Sequence, residues 1–268
     1  MASDIDRWAQ NPKKIALLWE NEEGKTKRIT YVELRKQSNK FANYLKKLEL
    51  SKGDKILIAL PRIPEAYYTF LGALKMGLII IPGSEMLMPK DIEYRLINSG
   101  AKIVVSYYNL TDRVNQIKKN ASKLKHLISV GEKVDGWADY KEAVNAESGQ
   151  FITVPTRSDD TAFLNYTSGT TGNPKGVIHH HSWGYVHQAV AAKHWLDVKE
   201  NDVVWATAAP GWAKWNWSPF ISTLGSGATG VVYCGTFDPV KYFKFLEKYR
   251  INILCCTPTE YRLLAKVD

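Results

Sequence analysis

Short runs of consecutive apolar residues alternate along this chain with stretches whose apolar positions recur every three or four residues. The first strong helical stretch begins in "RITYVEL", where Thr30 and Glu33 stand three apart as in a capping box. Leu34, Ser38, Phe41, Leu45 and Leu48 then mark one buried face. "SKGD" breaks that helix, and "KILIAL" reads as a buried strand. "PEAYYTFLGALKMG" reads as a helix ending at glycine, and "LIIIP" as the next strand. A strand–helix–strand order points to a parallel sheet. The alternation continues through "KIVVS" (strand), Leu110 to Ala121 (helix) and "HLISV" (strand). "DVVWAT", "ATGVVYC" and "INILCC" read as later strands, and Asp238 and Pro239 open a helix between the last two. The polar stretch from Ala146 to Asp160 reads as a linker or surface loop. The expected class is α/β.

One segment fits neither periodicity. "YTSGTTGNPKG", Tyr166 to Gly176, lies between "TAFLNY" and "GVIHHH", which both read as strands, and Ser182 is placed to cap a following helix running to about Trp195. Glycines let backbone amides approach and point at phosphate oxygens. Thr167, Ser168, Thr170 and Thr171 add hydroxyl donors, and Lys175 adds a compact charge suited to phosphate. The plainer alternative is a polar turn between strands. The spacing is not that of nucleoside triphosphatase loops, because Gly169 and Gly172 are only two residues apart internally and Gly176 follows Lys175. The dinucleotide fingerprint fails on spacing too.

Composition adds bounds. At 268 residues, 45% hydrophobic and 24% charged, the chain can bury a substantial core. The opening residues "MASDIDRWAQNPKK" carry no secretory pattern, and no apolar run is long enough to span a bilayer. Cys234, Cys255 and Cys256 form no disulfide framework, which suggests reduced thiols and the cytoplasm. The net charge of +9 favours anionic partners without choosing among them. The densest basic stretch, "NQIKKNASKLKH", lacks interleaved aromatics. It reads as the solvated face of a helix, so nucleic acid is not the expected partner.

"YTSGTTGNPKG" resembles the phosphate-loop signature of the adenylate-forming, or AMP-binding, superfamily. "ITYVELRKQSNKFANYL" and "LGALKMGLIIIPGSEML" resemble earlier segments of that family in the right order. "PGWAKWNWSPFISTLGSGATGVVY" and "TPTEYRLLAK" resemble its branch of acetyl- and medium-chain acyl-CoA synthetases. The resemblance implies mostly parallel sheets flanked by helices. It implies that residues 1–268 are an incomplete N-terminal AMP-binding domain of two interleaved α/β subdomains, with the C-terminal domain absent. It also implies a two-step ligase. A carboxylate attacks the α-phosphorus of Mg-ATP, releasing pyrophosphate, and coenzyme A then displaces AMP from the acyl-adenylate. By the same resemblance Thr167, Ser168, Gly169, Thr170, Thr171, Gly172 and Lys175 surround the β- and γ-phosphates.

"GWAKWNW" corresponds to a family segment walling the acyl pocket, which makes Trp212, Ala213 and Trp215 candidates; ordinary aromatic packing is the competing reading. His179, His180 and His181 tempt a metal assignment, but no third ligand follows at sensible spacing, and no protein metal site is expected. His181 can lie near the nucleotide without an assigned role. No "YGxTE"-like or "TGD"-like string occurs within the 268 residues, and the family's adenylation lysine belongs to the C-terminal domain. The expected partners are a short- to medium-chain acid, ATP, Mg2+ and coenzyme A, with oligomeric state open. The alternatives are a nucleotide-binding or assembly fragment without turnover and, less favoured, a basic nucleic-acid-binding protein.

Overall fold

The structure, a computed structural model, describes residues 1–167 and 172–267. Twelve strands form two sheets whose members interleave along the chain. The strands are β1 (Ile15–Asn21), β2 (Thr26–Thr30), β3 (Lys55–Ala59), β4 (Ile79–Gly83), β5 (Ile103–Tyr107) and β6 (His126–Val130). They continue as β7 (Ala138–Asp139), β8 (Thr161–Thr167), β9 (Lys175–His180), β10 (Val203–Ala206), β11 (Thr229–Cys234) and β12 (Ile253–Cys255). The larger sheet runs β7-β6-β5-β3-β4-β8-β9 and is parallel except for the β8–β9 hairpin. The smaller runs β12-β10-β11-β1-β2 and is parallel except for β1–β2. The expected α/β class and mostly parallel pairing are what the chain adopts.

The helices are α1 (Ala2–Asp6), α2 (Tyr31–Lys47), α3 (Pro64–Lys75), α4 (Pro89–Ser99), α5 (Thr111–Ile117) and α6 (Tyr140–Asn145). After the β8–β9 hairpin come α7 (His181–His187), which continues as a π-helical stretch Gln188–Trp195, then α8 (Ala213–Trp215), α9 (Thr223–Gly225), α10 (Pro239–Lys248) and α11 (Pro258–Leu264). Strand β3 shows why the central strands are apolar throughout. Ile56 and Ile58 enter the core shared with α2 and α3, whereas Leu57 and Ala59 enter the core under α4 and α5. Side chains alternate between faces, so a strand covered on both sides has no polar face to keep. The smaller sheet is covered likewise, by α10 on one face (Tyr242 and Phe245 against Trp205 and Tyr233) and by Phe220 and Leu224 on the other.

Two local expectations need correction. The helix after β9 starts at His181 with His180 as its cap residue, not at a Ser182 cap. Its first amides are satisfied from outside: His181 N donates to Asp160 O and Ser182 N to Ser158 O, both at 2.9 Å. Loop carbonyls thus replace the side-chain cap. At Thr30 only half of the expected box forms, with Glu33 N donating to Thr30 Oγ1 at 3.1 Å. Thr30 pairs with Ile15 in the β1–β2 ladder, and the Glu33 side chain instead lines a cleft. The Ala146–Asp160 segment is a loop, as expected, but α2 pins it. Asn39 donates to Gly149 O, and Asn43 donates to both Ser148 O and Gln150 O.

Candidate functional site

The glycine-rich segment is the tip of the β8–β9 hairpin at one edge of the larger sheet. Thr167 and Lys175 are the last paired residues below the tip, and Tyr166 faces Gly176 one step down. Ser168, Gly169, Thr170 and Thr171 lie outside the described residues. Gly172 has φ +87°, a backbone state that side chains disfavour, and nothing lies within 4 Å of where its Cβ would stand. Lys175 is exposed, with its charge at solution. The base of the tip is fastened to α4: Tyr166 Oη donates to Asn98 Oδ1 at 2.7 Å, and Arg95 stands over the Tyr166 ring at 5.3 Å. Thr167, Gly172 and Lys175 therefore sit together on an anchored but solvent-open turn.

Trp212, Ala213 and Trp215 do not form one wall. Trp212 is 59% exposed, whereas Trp215 is 1% exposed. Trp215 packs against Tyr67 and Phe70 of α3 at centroid distances of 5.0 and 4.6 Å and stacks on Phe220 at 5.3 Å. Ala213, half-buried, lies between them in sequence. The helix they enter runs unbroken from 213 to 225 as α8, a π-helical stretch Asn216–Ser222 and α9. Pro219 lies inside it and has no N–H for the carbonyl four residues earlier, which accounts for the loosened winding there.

The carboxyl ends of the two sheets converge, where open parallel sheets generally bind ligands. Arg62 Nε, just beyond β3, donates to Thr207 O beyond β10 at 3.1 Å. Gly211 (φ +100°) lies so close to the end of β4 that a Cβ would stand 2.5 Å from Ser84 Cα. Beside this junction a cleft of about 800 Å³ opens at the ends of β1, β5, β6 and β11, lined by Trp19, Glu65, Tyr68, Tyr107 and Cys234. That volume suits a small molecule.

Of the six histidines, His181 is buried, His126, His179 and His187 are half-buried, and His180 and His194 are exposed. Burial, helped by the nearby chain N-terminus, pushes His181 down to about 4 against the opposing pull of Asp160. Burial also lowers His179 and His187. Among the described residues no group of three or more His, Cys, Asp or Glu is arranged to hold a metal. The three cysteines are unpaired, with Cys255 and Cys256 buried and Cys234 half-buried. Among the described residues no helix is long and apolar enough to cross a membrane.

A mostly parallel two-sheet core with convergent strand ends and a glycine-rich hairpin at one edge places the chain in the α/β class. The family model described as "AMP-binding enzyme" matches residues 5–268, and the chain belongs to that family. It is 47% identical over 268 residues to an uncharacterized acyl-CoA ligase, YtcI, of Bacillus subtilis, covering 100% of this chain and 50% of that protein. It is 33% identical over 269 residues to the human mitochondrial acyl-coenzyme A synthetase ACSM3, covering 99% of this chain and 46% of that one. A crystal structure of a Brucella canis acyl-CoA synthetase superposes with a TM-score of 0.91 at 26% identity, over 98% of this chain and 48% of that chain. The chain thus spans about half the length of the relatives it matches.

Sequence reasoning missed three contributors. Arg62 bridges the sheets, while Asn165 and Asn216 form a buried amide contact, Asn216 Nδ2 donating to Asn165 Oδ1 at 3.1 Å. A signal for the asparagines was present: each is a lone amide inside an apolar or aromatic run, "AFLNY" and "WNW".

Proposed function

We propose that this protein acts in an ATP-dependent acyl-CoA synthetase reaction on short- to medium-chain acids, with the β8–β9 tip cradling the β- and γ-phosphates. The observation that carries the reading is the placement of Thr167, Gly172 and Lys175 on one anchored turn of an AMP-binding fold. Pyrophosphate is the leaving group of the first step, and negative charge grows on its oxygens as the α-phosphorus–oxygen bond breaks. In this reading Lys175 stabilises that charge as it develops. The second step is attack of the coenzyme A thiol on the acyl-adenylate, releasing AMP. The acid is proposed to lie against the tryptophan segment, with exposed Trp212 at the mouth and buried Trp215 supporting the wall from behind. Magnesium is taken to arrive bound to the nucleotide. Free cysteines support a cytoplasmic setting.

A second reading follows from the half-length coverage of the relatives: residues 1–268 by themselves bind nucleotide without turnover. Both are tested by acid-dependent ATP–pyrophosphate exchange and thioester formation, using butyrate, hexanoate and octanoate. The protein expressed from its full reading frame should catalyse both, and the isolated 1–268 polypeptide neither. Absence of acid-dependent exchange from the full reading frame would sink the synthetase reading; exchange by 1–268 alone would sink the second.

A further inference from the structure

The amino ends of the larger sheet carry a row of lysines. Lys55 opens β3, Lys102 precedes β5 and Lys125 precedes β6. Lys102 N donates to Lys55 O at 3.0 Å and Lys125 N to Lys102 O at 2.8 Å, so the three are neighbours where adjacent strands begin. Their backbones stand about 5 Å apart, the spacing of paired strands. The segment 118–125 returns from α5 to β6 along the same edge and adds Lys118, Lys119 and Lys123. Lys123 lies beside Gly100, the residue that ends α4. No Asp or Glu occurs from Arg113 through Gly131.

Few of these charges are used inside the chain. Lys102 pairs with Asp54 at 2.6 Å, and Lys118 donates to Asn115 Oδ1 at 2.9 Å. Lys55, Lys119, Lys123 and Lys125 make no ion pair among the described residues, and the last three are exposed. The acids that border the row are Asp54, held by Lys102, and Glu93, which accepts from Asn120 Nδ2. Exposed Glu49 also stands there, next to the Leu48 backbone that meets His126. Like charges side by side on neighbouring strands destabilise a sheet. An external anion removes that cost.

The chemistry of the row selects the partner. Protein-binding patches are rich in aromatic residues and arginine and poor in lysine. Here the charges are all lysine, and none of the exposed large apolar side chains among the described residues falls between 98 and 131. The nearby Arg113 is turned to the carbonyls of Glu85 and Leu87. Single-stranded nucleic acid is gripped by aromatic stacking platforms, which the row lacks. Lysines act as point charges without a fork for one phosphate, and clusters of them suit the spread negative charge of lipid headgroups. We propose that the amino edge of the larger sheet is a docking surface for an anionic lipid bilayer. The attachment is electrostatic, with no side chain inserted. The cleft beyond β5 and β6 and the Arg62 bridge lie at the opposite, carboxyl edge, so the docked protein keeps that edge open to solution.

The test is co-sedimentation of the protein expressed from its full reading frame with vesicles, at low and high salt. One set is phosphatidylcholine alone, and the other is phosphatidylcholine mixed with phosphatidylglycerol. The protein should pellet with the mixed vesicles only, and rising salt should release it, because screening weakens the attraction. Lys119→Gln, Lys123→Gln and Lys125→Gln combined should weaken partition roughly tenfold or more, since each lysine near the surface adds to the attraction. The same change at three exposed lysines elsewhere, Lys13, Lys193 and Lys266, should weaken it by less than about threefold. If the combined variant does not melt cooperatively, Lys123→Gln and Lys125→Gln replace it singly, each expected to weaken partition roughly twofold or more. No pelleting with the mixed vesicles, equal pelleting with phosphatidylcholine alone, or equal losses at the two sets of lysines would overturn the proposal. Binding to poly(U) RNA without binding to the mixed vesicles would overturn it in favour of nucleic acid.

Discussion

Two groups of buried polar side chains in this molecule differ in how many of their atoms are paired. The first surrounds Lys75 at the end of α3, which is 0% exposed. Its ammonium donates to Ser38 Oγ at 2.9 Å, to Asn39 Oδ1 at 2.7 Å, and pairs with Asp6 at 2.8 Å. Every donor of the lysine has a use and the cluster ties the N-terminal α1 to α2 and α3, while Asp6 Oδ1 is buried without a partner among the described residues. The second lies where α7 faces the 213–225 helix. There His181 Nε2, His187 Nε2, Asn216 Oδ1 and Ser222 Oγ are all buried without partners among the described residues. The first cluster spends its polar groups on holding the fold. The second leaves more of its polar atoms unpaired, beside the 213–225 helix that carries Trp215 and Trp217.

The sharpest way to break this contrast is to remove Lys75. Burial outweighs the Asp6 attraction and lowers its pKa, and burial likewise raises Asp6 against the pull of Lys75, so the pair is held under tension. Lys75→Ala leaves Asn39, Ser38 and Asp6 without their donor. Loss of one partner of a buried pair costs about 3–5 kcal/mol, and partial exposure of Asp6 places this case near the lower end. Urea unfolding of 1–268 should show that loss; a change within experimental error would mean the cluster does not hold the fold.

The smaller test is at the other cluster. Ser222 Oγ is buried with no partner among the described residues, so Ser222→Ala removes a hydroxyl and leaves no described group stranded. Stability should be unchanged or rise by up to about 1 kcal/mol. A clear loss in the same urea series would show that the hydroxyl has a partner and that the two clusters are less different than their contacts indicate.

Most of the framework was legible because it depends on local rules. The strands around "KILIAL" and "LIIIP" are buried on both faces, so their apolar runs are continuous. Asp238 caps α10, donating no proton but accepting from Lys241 N at 2.7 Å, as its position before Pro239 implied. The hairpin was legible as two extended segments around a glycine-rich tip. What the sequence hid depends on distant partners. Ser182 looked like a cap, but carbonyls of Ser158 and Asp160 do that work from the preceding loop. Trp212 and Trp215 looked like neighbours on one wall, yet the turn into α8 sends one to solvent and the other into the core. The Asn165–Asn216 bridge joins residues 51 apart, beyond any periodicity.

The central claim is that the β8–β9 tip holds the phosphates of the nucleotide, and Lys175 is the described charge best placed to test it. It is exposed and makes no ion pair among the described residues, so Lys175→Ala removes charge without disturbing a packed core. The direct measurement is calorimetric binding of Mg-ATP to 1–268 and to its Lys175→Ala variant, with thermal melts to show equal folding. The account predicts binding by the wild type and at least a tenfold weaker Kd in the variant, as expected for about 1.4 kcal/mol or more lost with one charge-assisted contact. Equal Kd values in two equally folded proteins, or no binding by either, would contradict it.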